Sequence, residues 1–181
     1  MTAAGETRAY GGLLTALPFA FRRSNSTVFR VYLLIGGFVG LFVTLIFGLG
    51  TLVLLDSMAG VAAGVITFTP ALYLLIWLAI VAPLLTPPLL VARRHRLGNP
   101  SQRYDCWIAV AGFCFVGLLY CGAVIALPPT QQPPIQPGPF AGLLRQFYAW
   151  TQPIGVVPPL IGVGAIVGVH WLFRDDERTL E

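Results

Sequence analysis

Four long runs of apolar residues dominate the chain and are separated by shorter, more polar stretches. They extend over residues 31–55, 71–92, 107–127 and 154–173. An α-helix of about 20 apolar residues crosses a bilayer core of about 30 Å, so each run is long enough to span a membrane. No strand-like alternation is present, and an open strand edge could not be satisfied in lipid. The pattern predicts an all-α integral membrane protein, a four-helix bundle that forms a single membrane domain over residues 1–181.

Two further apolar segments, residues 11–21 and 140–151, are too short to cross a bilayer. Their length and flanking arginines predict short interfacial helices, with Pro18 interrupting the first of them. Residues 128–139 contain six prolines and predict an extended linker on the outer face. Ser24, Asn25 and Ser26 precede the first long run, and all three are residue types that cap the beginning of a helix.

The composition supports a membrane location. Of the 181 residues, 56% are hydrophobic and 10% are charged, and the mean hydropathy is +0.79. A soluble domain is about 25% charged, and a disordered chain is poor in apolar residues, so both classes are excluded. Nucleic-acid binding is also unsupported, because the pI of 9.3 reflects a small excess among few charges.

The 11 basic residues are all arginine, and they are distributed unevenly between the two sides of the predicted membrane. Arg145 alone falls in a segment predicted outside, whereas the other arginines precede the first run, separate the second from the third, or follow the fourth. The positive-inside rule therefore predicts a multi-pass protein of the cell membrane with both termini in the cytoplasm, N-in and C-in. We expect seven arginines on the predicted cytoplasmic side to set this topology. They could also bind anionic lipid headgroups or an acidic soluble partner. They are Arg22, Arg23, Arg30, Arg93, Arg94, Arg96 and Arg103.

Small residues recur at helical spacing along three of the predicted spans. Such positions let two helices approach closely in a membrane, so they are predicted packing positions. We interpret these positions as contacts between helices of the same chain, in preference to a homodimer interface. The positions are Gly36, Gly40, Thr44, Gly48, Gly117, Gly164 and Gly168.

The residues most often used in catalysis or metal binding form no recognisable motif. The three cysteines share one face of the third span, too far apart along the helix for a disulfide, and are interpreted as small packing residues. His95, His170, Asp105 and Cys106 could gather as a metal site at the inner boundary, but they lack local ligand spacing. We therefore predict no catalytic residue, no cofactor and no metal site. The residues considered are Cys106, Cys114, Cys121, His95, His170 and Asp105.

Prolines at positions 83, 87 and 88 are predicted to break the second span. Each removes one backbone donor, which frees the carbonyls of Ala79, Pro83 and Leu84 for Thr86 or a neighbouring helix. Broken helices line the binding sites of many transporters. Ion-coupled transport, however, normally leaves an ionisable side chain within a span, and the four runs contain no aspartate, glutamate, lysine or arginine. We therefore favour a fixed bend near the inner leaflet over a transport site.

The strings AYGGLLTALPFAFRRSNSTVFRVY and LLVARRHR…RYD resemble small, uncharacterised multi-span membrane proteins of halophilic archaea. The resemblance implies no activity and transfers no functional residue. The sequence predicts a non-enzymatic packing, scaffold or accessory subunit. Its expected partners are the lipid bilayer and a second copy or another membrane protein, without nucleic acid. The alternative is a transporter or permease component that uses the proline-broken second helix, and a membrane enzyme ranks third.

Overall fold

The computed structural model describes residues 13–58, 68–98 and 101–178. Within these ranges the chain forms six α-helices, two short 3-10 helices and no strand, which confirms the all-α prediction there. The first two residues of the predicted 11–21 segment lie outside the described residues. The α-helices are α1 (Leu13–Arg23), α2 (Thr27–Ser57), α3 (Phe68–Arg96), α4 (Gln102–Ile125), α5 (Ala141–Ala149) and α6 (Val157–Arg178). The 3-10 helices are Pro129–Gln131 and Gln152–Val156.

Four helical segments of the described chain are long and apolar enough to cross a membrane. They are Thr27–Ser57, Phe68–Arg96, Gln102–Ile125 and Gln152–Phe173, and they correspond to the four predicted spans. The first three extend beyond the predicted runs into polar sequence, because backbone hydrogen bonding continues past the last apolar side chain. The N-in and C-in orientation stays a prediction.

The caps and the short helices follow the local sequence closely. Ser26 is the N-cap of α2, where its Oγ accepts a hydrogen bond from the backbone N–H of Phe29 at 3.3 Å. Pro18 lies inside α1 without interrupting it, which is a correction to the prediction. A proline removes only its own N–H bond, and the helix continues around that loss. In the linker, Pro128 has polyproline angles and precedes a 3-10 turn, and residues 132–136 have no regular structure.

The chain divides into two compact units, one up to Ala109 and one from Val110 onwards. In the first unit, α3 packs against both α1 and α2, and α1 also contacts α2. The buried side chains there include Phe29, Tyr32 and Leu84. The second unit holds the remainder of α4 together with α5 and α6, and its core includes Phe115 and Ile166. A single four-helix bundle spanning both units stays a prediction.

The second span is not broken at its prolines. Helix α3 continues from Phe68 to Arg96 with Pro83, Pro87 and Pro88 inside it, so the predicted interruption is wrong. The expected compensation is present at one of the three freed carbonyls, since the hydroxyl of Tyr32 on α2 donates to the carbonyl of Leu84 at 2.8 Å. This is the carbonyl that Pro88 leaves without a helical donor.

Tyr32 is fully buried, and Gly36 provides the space for its ring. A Cβ built on Gly36 would lie 3.2 Å from Cζ of Tyr32. Gly36 lies one turn after Tyr32 on α2 and leaves room for its ring. The hydroxyl of that ring can then reach the Leu84 carbonyl of α3. A neighbouring helix thus replaces the hydrogen bond that the proline removed.

Replacing Tyr32 with phenylalanine is expected to lower the free energy of unfolding by about 0.5–1.5 kcal/mol, because the Leu84 carbonyl loses its donor while the ring still packs. SDS titration of the detergent-solubilised protein measures this change. Tyr120→Phe is the control, since that side chain is 72% exposed. Equal stability of the two variants would contradict a structural role for the Tyr32 hydroxyl.

Candidate functional site

Asp105 is a buried carboxylate in the first turn of α4, with an exposed fraction of 1%. Its Oδ2 accepts hydrogen bonds from Oγ of Ser24 at 2.6 Å and from Nε2 of His95 at 2.9 Å. A carboxylate is costly to bury unless donors satisfy it, and the beginning of a helix also stabilises negative charge. Ser24 follows α1 and His95 lies in the last turn of α3. We call Ser24, His95 and Asp105 the Asp105 junction, because they join three helix ends.

Ser24 is held in place by its own short-range contacts. Its backbone N–H donates to the carbonyl of Ala20 at 3.0 Å, and its Oγ accepts from the backbone N–H of Ser26 at 3.2 Å. Its carbonyl accepts from Nε of Arg30 at 3.1 Å. Of the predicted capping residues, Ser26 therefore caps α2, whereas Ser24 binds Asp105.

Seven arginines lie within about ten residues of Ser24, His95 or Asp105 along the chain. Arg22 and Arg23 end α1, Arg93, Arg94 and Arg96 lie in the last turn of α3, and Arg30 and Arg103 lie near the beginnings of α2 and α4. The guanidinium of Arg94 lies over the ring of Tyr104, 4.1 Å from its centroid. The three-helix contact therefore gathers basic helix ends that are far apart in the chain.

A cleft of about 530 Å³ lies beside the Asp105 junction. Oδ1 of Asp105 is buried and has no hydrogen-bond partner in the described part of the chain. The carboxylate is therefore satisfied on one oxygen only. We call this space the junction cleft, and its lining residues are Arg23, Asn25, His95, Gly98, Gln102 and Asp105.

The arrangement of the three side chains limits its chemistry. In a serine hydrolase triad the histidine lies between serine and aspartate, whereas here the aspartate binds both of the others. Residues 13–58, 68–98 and 101–178 also contain no cluster of three or more His, Cys, Asp or Glu that could hold a metal ion. The junction is a polar binding arrangement and lacks the order of groups needed to activate Ser24.

Comparison with known proteins gives a family without an assigned activity. The model of a domain of unknown function, DUF8056, matches residues 1–174. The chain belongs to the DUF8056 family. No curated protein and no solved structure matches it. The expected resemblance to an uncharacterised family is thus supported, and a halophilic archaeal origin stays a prediction.

In this DUF8056 chain the predicted small-residue positions differ in their surroundings. Thr44 donates to the carbonyl of Gly40 at 2.7 Å and accepts from Nε1 of Trp77 on α3 at 3.2 Å. The other predicted glycines, apart from Gly36 described above, have no atom within 4 Å of an added Cβ in the described chain. They are Gly40, Gly48, Gly117, Gly164 and Gly168.

Three other glycines of the DUF8056 chain make the close contacts of the second unit. A Cβ on Gly122 would clash with the carbonyl oxygen of Gly155, and a Cβ on Gly155 would lie 2.7 Å from the carbonyl oxygen of Gly122. A Cβ on Gly162 would lie 2.9 Å from Cα of Phe115. The sequence contained a signal for this face, since the buried residues Gly155, Gly162 and Ile166 follow helical spacing.

Proposed function

We propose that this DUF8056 protein is a multi-pass protein of the cell membrane, with both termini and the Asp105 junction on the cytoplasmic side. The distribution of arginines supports the orientation. The membrane location is supported by the exposure of large apolar side chains along α2, such as Leu34 at 63% and Phe38 at 70%. Water would disfavour so large an apolar surface, whereas lipid tails cover it without cost.

Within the membrane we infer a non-enzymatic packing, scaffold or accessory role. The observation that carries this proposal is the set of exposed glycines on the faces of the spanning helices. Gly48, Gly117 and Gly164 are exposed, and each leaves room for a Cβ. Glycines at such positions allow another helix to approach closely. We propose that a second copy or another membrane protein occupies these faces.

The transporter alternative is less well supported. It depended on an interruption of the second span, and α3 is a continuous helix. The four predicted spans also contain no aspartate, glutamate, lysine or arginine. A proton or ion pathway usually depends on such a side chain.

Purification of the full chain from its native membrane in mild detergent tests the proposed role. We expect a stoichiometric oligomer or a stoichiometric membrane partner by native mass spectrometry. A homodimer would also form inter-chain disulfides at Gly48→Cys in a chain without other cysteines, and less at the adjacent control Leu49→Cys. A monomer without any partner would contradict the scaffold proposal. Reaction of Ser57→Cys with an impermeant maleimide in intact cells tests the orientation, because that residue is expected outside.

A further inference from the structure

The junction cleft contains an unsatisfied hydrogen-bond acceptor. Asp105 has an exposed fraction of 1%, and both of its bound donors are on Oδ2. Its buried Oδ1 has no partner among the residues that the structure describes. Leaving a buried charged acceptor unpaired is costly, so a ligand that donates a hydrogen bond would be favoured here.

The other charge that lines the junction cleft has the opposite sign. Arg23 is exposed at the opening, and its guanidinium lies over the ring of Phe19, 5.8 Å from the centroid. Arginine presents several N–H donors in a planar arrangement that suits phosphate. The exposed amides of Asn25 and Gln102 add neutral donors and acceptors beside it. The cleft is therefore lined by an exposed anion-binding group and a buried acceptor.

A bare metal cation fits these surroundings poorly. Asp105 would be its single carboxylate ligand, and no third His, Cys, Asp or Glu joins His95 and Asp105 in the described chain. The neighbouring helix ends are rich in arginine, which repels a cation. A free inorganic phosphate would satisfy Arg23, but its O–H donors belong to the same compact anion, which the carboxylate of Asp105 repels.

We propose that the junction cleft binds a phosphoester that also carries a hydrogen-bond donor. The phosphate contacts Arg23, and the hydroxyl or ammonium donor reaches Oδ1 of Asp105. Phosphatidylglycerol and phosphatidylethanolamine headgroups have this chemistry, as do free glycerol phosphate and phosphoethanolamine. The cleft volume of about 530 Å³ lies within the range of about 300–1,000 Å³ typical of small-ligand sites.

The lipid source is favoured by the position of the cleft along the chain. The lining residues come from the polar ends of α1, α3 and α4, just beyond the apolar segments of α3 and α4. Headgroups occupy this level at the surface of a bilayer. The short helix α1, which carries Arg23, is the segment that the sequence predicts to lie in the interface.

Lipid discrimination by the full chain tests the proposal. The protein is reconstituted into nanodiscs that contain equal amounts of phosphatidylglycerol and phosphatidylcholine, and the lipids retained after release are quantified by native mass spectrometry. Phosphatidylcholine carries the phosphate without an N–H or O–H donor, and a second set of nanodiscs pairs it with phosphatidylethanolamine, which has the same net charge but adds N–H donors. We expect phosphatidylglycerol to be retained about tenfold more, as a charge-assisted hydrogen bond would give.

Two variants and a control connect this preference to the cleft. Arg23→Gln is expected to lower the retention of both lipids, and Asp105→Asn to remove the preference between them. Arg103→Gln is the control, since Arg103 is an exposed arginine of α4 that does not line the cleft. Because Arg23 is exposed, its variant keeps the test valid if Asp105→Asn fails to fold.

The outcomes separate the site from general attraction to basic residues. Equal retention of the two lipids, or an equal loss in Arg23→Gln and Arg103→Gln, would overturn the proposal. Competition by millimolar sn-glycerol 3-phosphate would support the site and assign it to a soluble phosphoester. A phosphatidylglycerol preference that withstands this competitor would support the site and assign it to the lipid.

Discussion

Replacing Gly122 with alanine is expected to destabilise the protein by about 1–3 kcal/mol, as overpacking of a close-packed core does. The added methyl group would collide with the carbonyl oxygen of Gly155 and lie 2.8 Å from Cδ of Pro159. Both are parts of the backbone or of a rigid ring, so neither can move aside as a flexible side chain would. The helices of the second unit would have to separate to accept one methyl group.

Gly117→Ala is the matched control for this prediction. It lies on the same helix, α4, and an added Cβ there meets nothing within 4 Å in the described chain. Alanine should leave stability unchanged or raise it by up to about 1 kcal/mol, because it favours helix more than glycine does. Thermal unfolding in detergent, followed by circular dichroism, compares the two. Similar midpoints would show that the Gly122 contact is not needed, and a loss at Gly117 alone would indicate that another chain packs there.

Ser24→Ala is expected to lower the free energy of unfolding by about 1.5–3 kcal/mol, the range for hydrogen bonds to charged groups. The substitution removes the 2.6 Å donor to Oδ2 of Asp105 and leaves the buried carboxylate with His95 as its remaining donor within the described chain. It also removes the Oγ acceptor of the Ser26 N–H. The connection between α1 and α2 should therefore loosen together with the contact to α4.

Ser57→Ala provides the comparison, because it removes a serine hydroxyl that is exposed and bonds only locally to the Leu54 carbonyl. We expect its effect to stay within about 0.5 kcal/mol, as for most surface substitutions. Equilibrium unfolding of both variants by SDS titration gives the difference. If Ser24→Ala proves as stable as Ser57→Ala, the Asp105 junction does not hold the helix ends together.

The sequence located the elements of the candidate site without assembling it. By residue type, Asp105 and His95 are possible metal ligands, and Ser24 is a possible helix cap. The structure replaces these separate interpretations with one contact, in which Asp105 binds both of the other residues. His95 and Asp105 are 10 residues apart across the connection between α3 and α4, whereas Ser24 and Asp105 are 81 residues apart. Their contact requires the end of α1 and the beginning of α4 to meet in the tertiary structure.

The small-residue faces also show that sequence spacing alone does not identify the residues in contact. The segment 152–178 carries one set of glycines at 164 and 168 on α6 and another at 155 in the preceding 3-10 helix and 162 on α6, and both sets follow helical spacing. The first set leaves open space, whereas Gly162 closely approaches Phe115. Periodicity identifies faces on a helix but contains no information about which face a neighbouring helix covers.

The sequence by itself determined the number of apolar helices, their approximate ends and the concentration of arginine at alternate connections. Those features depend on the hydrophobicity, length and charge of contiguous residues, which are local properties of the chain. Tertiary structure alone decided that Tyr32 satisfies the carbonyl freed by Pro88, that Gly122 and Gly155 meet, and that Asp105 is buried beside a cleft. Each of these depends on the positions of atoms from distant segments, because hydrogen bonding and close packing act over a few ångströms in space, whatever the separation along the chain.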